Sequence, residues 1–369
     1  MEQMQAVPKH IMFPSAMLIF IINSMQIGVG ITAFSRFVYK YAKQDSWLAV
    51  LVAGIVAHIV IFCIYLTLRR YKEKDLFDIH THLFGKWLGN ALSILYIGYL
   101  FGYSITYIIN LFAFTREYLF PDIPIWIIAL LLLVLAVYAV YGGIRVLVGV
   151  CFLSVVFTVW ITIVLLQIFQ YFDWLSFLPV LENRFSDIGM GGYEMSFSLT
   201  GFEILYFVYP YVQGKNKANV YAQTGALLTN MIYLFFIVVS IGFYSEKGLK
   251  STIWPSLNLF KIVNFPFLEQ FEVVVISLMM LIILPNLSLL LWVVSKGSKK
   301  IIAVKQKTAL FVASVLLFIG VQRFNTLPQI STYTEFFNLV SSIFSFIYPV
   351  VLLLFAIAID KIRKKRRQA

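Results

Sequence analysis

The chain has 369 residues, of which 61% are hydrophobic and 12% are charged, and its mean hydropathy is +0.88. This composition excludes a soluble globular domain and is typical of a membrane protein. The formal net charge of +12 allows nucleic-acid binding as an alternative. The basic residues cluster beside apolar segments, however, so a membrane-surface anchor is the favoured interpretation of the basic tail at 361–367.

Uncharged apolar runs of about 20 residues are long enough to cross a bilayer. Ten such spans are predicted, at residues 11–35, 47–68, 87–115, 123–143, 146–170, 195–213, 218–245, 273–295, 301–322 and 336–359. Ten spans place both termini on one side. The loops on that side carry most of the 29 Lys and Arg residues, so the positive-inside rule predicts that both termini are cytoplasmic.

The first span is interrupted at Gly28-Val29-Gly30. Glycine permits close approach of the backbone. A helix that restarts after Gly30 would direct free N–H groups into a cavity, where they favour an anion such as a carboxylate. The alternative interpretation is close helix packing through small residues.

The sixth span is interrupted at Thr200-Gly201, and Glu203 follows inside the apolar segment. An intramembrane carboxylate is costly and is by default functional, and a half-helix N-terminus would stabilise it. Glu203 is therefore a candidate for holding a substrate ammonium or carrying a proton. The alternatives are a structural ion pair and a protonated, hydrogen-bonded acid.

The two breaks occur in the first span of each half of the chain. An odd number of spans per half inverts the second half, so we predict one membrane domain over 1–369 with inverted repeats at about 11–170 and 194–359. The loop at 171–193 divides them. Unwound backbone persists in a bilayer only where protein or a cavity satisfies its polar groups. Paired breaks therefore predict the ligand site of a transporter-like protein.

Other spans supply candidate cavity walls. The third span carries a polar stripe at helical spacing, made of Tyr96, Tyr99, Tyr103, Tyr107 and Asn110. Tyr103 and Tyr107 lie nearest its middle, although helix packing is the alternative for most of the stripe. Asn286 follows a proline in the eighth span, and Phe346 precedes a Tyr348-Pro349 kink in the tenth.

Motifs for catalysis, cofactor binding and metal binding are absent from the sequence. His80-Thr81-His82 falls in a predicted loop without further ligands, and neither a Walker motif nor a triad spacing occurs. Cys63 and Cys151 are separated and lie within spans. We therefore expect a protein that is not an enzyme and uses no metal or organic cofactor.

Several short motifs resemble one family. Gly28–Thr32 with Asp45-Ser46-Trp47 is similar to the first-helix signature of spore germinant receptor B subunits. These are endospore germination permeases of the Ger(x)B or GerAB type, related to the amino acid–polyamine–organocation transporters. Further matches occur in order at Pro124–Trp126, Leu178–Leu181, Gly201–Leu205, Tyr209-Pro210, Trp254-Pro255 and Phe267–Glu272. The chain departs from the family pattern at Ser35, Arg145 and Gln270, which leaves the ligand open.

This resemblance implies an all-α, LeuT-like fold with broken first and sixth helices, located in the spore inner membrane with A-type and C-type partner subunits. It also implies recognition of a small nutrient, often an amino acid, that triggers germination. Carried over residue by residue, the ligand site comprises Gly28, Gly30, Thr200, Gly201 and Glu203, with Tyr103, Asn286 and Phe346 as walls.

The predicted function is therefore a nutrient-sensing membrane subunit. One alternative is an ion-coupled secondary transporter of amino acids or amines that uses Glu203 as its proton site. Another is a pore or scaffold subunit without ligand specificity. Uptake by the isolated chain in liposomes separates the first alternative from the sensor. Pocket substitutions that leave nutrient choice unchanged would favour the second.

Overall fold

The computed structural model describes residues 8–263, 265 and 270–368, and of residues 365–368 only the backbone. The Phe267–Glu269 part of the family-like motif and the side chains at the end of the basic tail lie outside this description. The α-helices of the described residues are α1 Leu18–Gln26, α2 Phe34–Ala42, α3 Ser46–Tyr71, α4 Leu76–Tyr118, α5 Ile125–Tyr141, α6 Ile144–Val164, α7 Phe185–Leu199, α8 Leu205–Val208, α9 Ala218–Phe243, α10 Glu246–Ser251, α11 Pro255–Leu259, α12 Phe271–Ile302, α13 Gln306–Val321, α14 Leu327–Ser342 and α15 Tyr348–Gln368. Two short strands, β1 Phe13–Pro14 and β2 Val212–Gln213, pair in parallel.

Within the described residues, six helical segments are long and apolar enough to cross a membrane, and three further apolar helices are shorter. The helices cover all ten predicted spans. The first span consists of α1 and α2, the sixth of α7 and α8, and the tenth of α14 and α15 joined by the π-helical turn Ile343–Ile347. Large apolar side chains on the outer faces of α3, α5 and α6 are exposed, as lipid contact requires.

Two span boundaries differ from the prediction. The first broken helix continues to Ala42 instead of ending near residue 35, and the sixth begins at Phe185 within the predicted loop. Polar residues hide both extensions from a hydropathy search. They are tolerated because α2 and α7 pack on each other: a Cβ at Gly191 would lie 3.1 Å from that of Ala42.

The segment His80–His82 is helical and is not the predicted loop. Helix α4 begins at Leu76, where the Asp75 side chain accepts a hydrogen bond from the Asp78 N–H at 3.1 Å. Its axis changes direction at Gly85, which has φ 79°. The prediction was wrong because the charged residues in this segment are typical of a loop. The segment instead forms a turn of helix that folds back, so that His80 is fully buried.

The α3–α4 connection and the end of α15 meet at one face of the protein, which we call the terminal face. Arg70 lies 3.5 Å from Asp360, and Arg363 donates to the His82 carbonyl at 2.9 Å. The α2–α3 connection and the start of α14 lie at the opposite face, because α3 and the α14–α15 pair each cross the bundle once.

A buried ion cluster closes the terminal face between the α3–α4 loop and α12. Asp75 is 1% exposed and lies 2.9 Å from the Lys296 Nζ and 2.7 Å from the Lys300 Nζ. Burial alone would raise the pKa of the Asp75 carboxyl, but the two ammonium groups outweigh it and hold that pKa well below its usual range. Lys296 also lies over the Tyr211 ring, which ties the end of the sixth span to the cluster.

Candidate functional site

Both predicted helix breaks are present. Helix α1 ends at Gln26, residues 27 and 28 are extended, and a 3-10 turn at Val29–Thr32 leads into α2. Helix α7 ends at Leu199, and Gly201 takes a left-handed conformation with φ 110° before the turn Phe202–Ile204. The prediction of broken first and sixth helices is therefore confirmed.

Side chains from three helices satisfy the backbone groups that the breaks release. Gln26 Nε2 donates to the Leu199 carbonyl at 2.8 Å, which joins one break directly to the other. The Tyr233 hydroxyl on α9 lies 3.1 Å from the Gln26 carbonyl and 2.9 Å from that of Ser198. Asn286 Nδ2 on α12 donates to the Ile27 carbonyl at 3.1 Å. The unwound backbone is therefore stable in a lipid environment.

Glycine at the first break leaves room for a neighbouring helix. A Cβ at Gly28 would lie 2.6 Å from Cε1 of Tyr107, and one at Gly30 would lie 2.7 Å from the Ser198 hydroxyl. Tyr107 stacks on Tyr103 with ring centroids 4.8 Å apart. The aromatic stripe of α4 thus packs directly against the first break.

The Glu203 side chain is hydrogen-bonded to the backbone of the second break. It is 2% exposed, its Oε1 accepts from the Tyr99 hydroxyl at 2.5 Å, and its Oε2 accepts from the Gly201 N–H at 2.8 Å. The Tyr99 hydroxyl also lies 3.0 Å from the Ser345 hydroxyl. Both carboxylate oxygens therefore accept hydrogen bonds that hold the turn.

Two cavities adjoin both breaks, and a third, of about 50 Å³, borders the first break at Ile27, Ile31 and Thr32. The small cavity, of about 10 Å³, is lined by Gln26, Gly28, Val29, Gly30, Tyr103, Tyr107, Phe197 and Ser198. It holds one water at most. The vestibule, of about 370 Å³, opens toward the opposite face between α2, α7 and α14, and shares Val29, Gly30, Phe197 and Ser198 with the small cavity. These four residues therefore separate the centre of the protein from the vestibule.

Charged side chains of both signs line the vestibule. Arg36 projects from α2, Glu194 from α7 and Glu335 from α14. Among the described residues, none of these three charges forms a salt bridge. A zwitterion would therefore find both a guanidinium group and carboxylates along the walls.

The structure places only some of the predicted site residues at the walls of a cavity. Gly28, Gly30 and Tyr103 line the small cavity, and the Tyr103 hydroxyl lies 2.5 Å from the Thr200 Oγ1 behind it. Gly201 and Glu203 lie beyond Thr200. Asn286 supports the first break, and Phe346 packs edge-on against Phe202 at 5.3 Å, away from both cavities.

Sequence reasoning overlooked three groups at the site. Gln26 bridges the breaks, and its Oε1 is buried without a hydrogen-bond partner among the described residues. Phe197 borders both cavities, and Tyr233 bonds both breaks. A polar residue immediately before the first break was a usable signal for Gln26. A phenylalanine or a single tyrosine in an apolar span carries no comparable signal.

Glu203→Gln is expected to lower stability by about 1–3 kcal/mol, because an amide nitrogen cannot accept the Gly201 N–H or the Tyr99 hydroxyl and leaves one buried donor unpaired. Thermal unfolding of the purified protein in detergent measures this. Glu194→Gln at the vestibule wall is the matched control and should change stability little. Equal melting temperatures for the two variants would contradict the bonding described for Glu203.

The sequence matches the profile of the family described as "Spore germination protein" over residues 13–330. It is 31% identical to spore germination protein GerQB of Bacillus cereus over 361 residues, covering 98% of this chain and 100% of that protein. It is 22% identical to spore germination protein A2 of Bacillus subtilis (strain 168), covering 81% of this chain and 83% of that protein.

The fold is similar to that of two solved transporter-type structures. One is MhsT in complex with L-phenylalanine, with a TM-score of 0.65 over 94% of this chain and 91% of that one. The other is Mhp1, a nucleobase-cation-symport-1 family transporter, with a TM-score of 0.64 over 93% of this chain and 80% of that one. Identity is 13% in both cases. The similarity confirms the predicted all-α, LeuT-like architecture.

Proposed function

Since this chain belongs to the spore germination protein family and has the fold of a membrane transporter, we propose that it is the nutrient-sensing membrane subunit of a spore germination receptor. A small nutrient such as an amino acid enters through the vestibule and binds between the two helix breaks. Binding changes the shape of the bundle, and A-type and C-type partner subunits respond to that change. The protein resides in the spore inner membrane with the terminal face in the cytoplasm.

The observation that carries this proposal is the continuity between the vestibule and the broken helices. A volume of about 370 Å³ lies at the lower end of the range for small-molecule sites. Arg36 complements a carboxylate, and Glu194 and Glu335 complement an ammonium group. An amino acid carries both groups, so the vestibule suits this class of ligand.

The small size of the cavity at the breaks means that a nutrient can bind there only after a conformational change. Because it holds one water at most, a nutrient reaches the breaks only when Phe197 and the Val29–Gly30 turn move apart. A ligand shifts such an equilibrium only by its differential affinity for the two states. Binding at the breaks therefore favours an expanded state, and that state is the signal.

Gly28→Leu is expected to abolish nutrient-triggered germination, because a side chain here fills the small cavity and collides with Tyr107. Spores that carry the variant are compared with wild type for germination and for the amount of protein. Gly98→Leu is the matched control, since a Cβ at Gly98 meets no atom within 4 Å. A normal response by Gly28→Leu spores with normal protein levels would overturn the assignment of the site.

Direct binding is tested with the purified chain and a panel of L-amino acids. A bound amino acid at 100 times its Kd stabilises the protein by about 2.7 kcal/mol and raises its melting temperature. This rise should be lost in Gly28→Leu and retained in Gly98→Leu. If no amino acid raises the melting temperature of the wild-type chain, an amino acid is not the ligand.

Ion-coupled transport is the second candidate function, favoured by the fully buried carboxylate of Glu203 at the second break. The two functions differ in what the isolated chain accomplishes. Uptake of a labelled amino acid into liposomes that contain this chain alone, driven by a pH gradient and lost in Glu203→Gln, would establish transport and displace the sensor proposal.

A further inference from the structure

Polar contacts hold the C-terminal end of α15 at the terminal face. Among the described residues, Ile359 is the last of this helix that packs on the apolar core, and Ile362 beyond it is 54% exposed. The hydrogen bonds and salt bridges in this last stretch come from the side chains of Asp360 and Arg363. We call these two residues and their partners the C-terminal clasp. The clasp, and not apolar burial, therefore positions the start of the basic segment 361–367.

Asp360 joins α15 to the end of α3. Its carboxylate accepts from the Tyr71 hydroxyl at 3.3 Å and lies 3.5 Å from the Arg70 guanidinium group. Histidine is the only side chain that ordinarily changes its charge between pH 5 and pH 8. This half of the clasp contains no histidine, so we expect it to be insensitive to pH in that range.

Arg363 joins α15 to the start of α4. Its Nη2 donates to the His82 carbonyl at 2.9 Å, and its Nη1 lies 3.1 Å from the His82 Nε2. A guanidinium group has only donors and keeps its charge, so the Nε2 atom must be the acceptor in this contact. An imidazole accepts at Nε2 only when it is neutral and carries its proton on Nδ1. The contact therefore requires an uncharged His82.

The surroundings of His82 also oppose its protonation. The charged and titratable groups of the elements that meet here are Arg70 and Tyr71 of α3, Lys74 of the α3–α4 connection, Asp78 of α4, and Asp360 and Arg363 of α15. Burial lowers the pKa of the His82 imidazole below its usual value, and Lys74 and Arg363 lower it further. Asp360 acts in the opposite direction. His82 is therefore neutral at neutral pH and gains a proton in acid solution.

We propose that the C-terminal clasp is a proton-operated latch, in which protonation of His82 releases Arg363 and frees the end of α15 from the terminal face. The proton comes from solution and binds to Nε2, which removes the acceptor of the Arg363 Nη1. The new positive charge also repels the guanidinium group. The position of the basic segment 361–367 thus follows the pH of the solution at the terminal face. This latch is independent of whether the protein senses or transports its ligand.

Nuclear magnetic resonance of the full-length chain in detergent, with ¹³C in the histidine rings, tests the coupling between the proton and the clasp. The chain has four histidines, so the His82 signal is identified by its loss in His82→Gln. Arg363→Met should raise the pKa of His82 by about 0.7, a fivefold change in protonation, as expected for the loss of one unit charge at this distance in water. An unchanged pKa would overturn the proposal.

Lys364→Met is the matched control for this measurement. It removes the same charge from the next residue of α15, which is exposed and forms no salt bridge or hydrogen bond with any other described side chain. Because salt screens a charge that is not in contact, the pKa of His82 should change by less than about 0.2.

A spin label at residue 364 reports the release itself, in a chain whose two cysteines are replaced by alanine. The label should become more mobile as the pH falls from about 7.5 to about 5. It should stay immobile in His82→Gln, whose amide oxygen accepts from Arg363 at every pH, and should be mobile throughout in Arg363→Met. His10→Gln is the control and should behave as wild type. A label whose mobility is the same at both pH values in the wild-type background would overturn the latch. Since no nutrient is added, neither measurement bears on nutrient binding.

Discussion

Replacing Gly201 with alanine is expected to destabilise the protein by about 2–5 kcal/mol and to lower its amount in the membrane. Gly201 has φ 110°, a conformation that costs other residues about 1–2 kcal/mol. A Cβ here would also collide with the Met25 carbonyl oxygen, and such overpacking costs about 1–3 kcal/mol. The obstruction is backbone of the other broken helix, so shortening the Met25 side chain will not relieve it.

The measurement is thermal unfolding in detergent together with quantification of the membrane-inserted chain. Gly320→Ala is the control, because Gly320 lies within α13 and a Cβ there meets no atom within 4 Å. Alanine in a helix interior is neutral or slightly stabilising relative to glycine. If Gly201→Ala and Gly320→Ala melt at the same temperature, the two broken helices do not touch as the structure shows.

The membrane architecture was predictable because bilayer physics acts on local sequence. Spans of about 20 apolar residues can be recognised in the local sequence, and so can the breaks at Gly28–Gly30 and Thr200-Gly201. The ends of the broken helices were not predictable, because α2 and α7 carry Arg36 and Glu194 on surfaces that face the vestibule instead of lipid. A search for apolar spans assigns such charged residues to loops.

The candidate site was predictable only in part. Glu203 could be singled out as an intramembrane acid, but Tyr99, which donates to it, and Ser345, which is hydrogen-bonded to Tyr99, lie about 100 and 140 residues away in sequence. A single sequence carries no signal of such pairing. Phe346 is the opposite case, in which a signal in the sequence was misleading. Its place beside a proline kink suggested a cavity wall, whereas the π-helical turn directs it onto Phe202.

Asp75→Asn is expected to destabilise the protein by about 3–5 kcal/mol, the usual effect of removing one partner from a buried ion pair. The amide leaves the Lys296 ammonium at the terminal face without its carboxylate, over the rings of Tyr211 and Trp292. Asp78→Asn is the matched control. Asp78 is 33% exposed and its carboxylate forms a salt bridge with the part-exposed Lys300, so the loss of its charge should change stability by less than about 1 kcal/mol.

The same cluster predicts a pH dependence with a definite sign. Burial opposes ionisation of Asp75, but Lys296 and Lys300 prevail and hold its pKa in the folded protein well below the value of about 3.9 for an unfolded chain. Its stabilisation is therefore complete above pH of about 4 and is lost as the pH falls through the folded pKa. Melting temperatures of wild type and Asp75→Asn should converge as the solution is acidified below pH 4. A constant difference down to the acid limit would mean that Asp75 does not stabilise the protein through its ionised carboxylate.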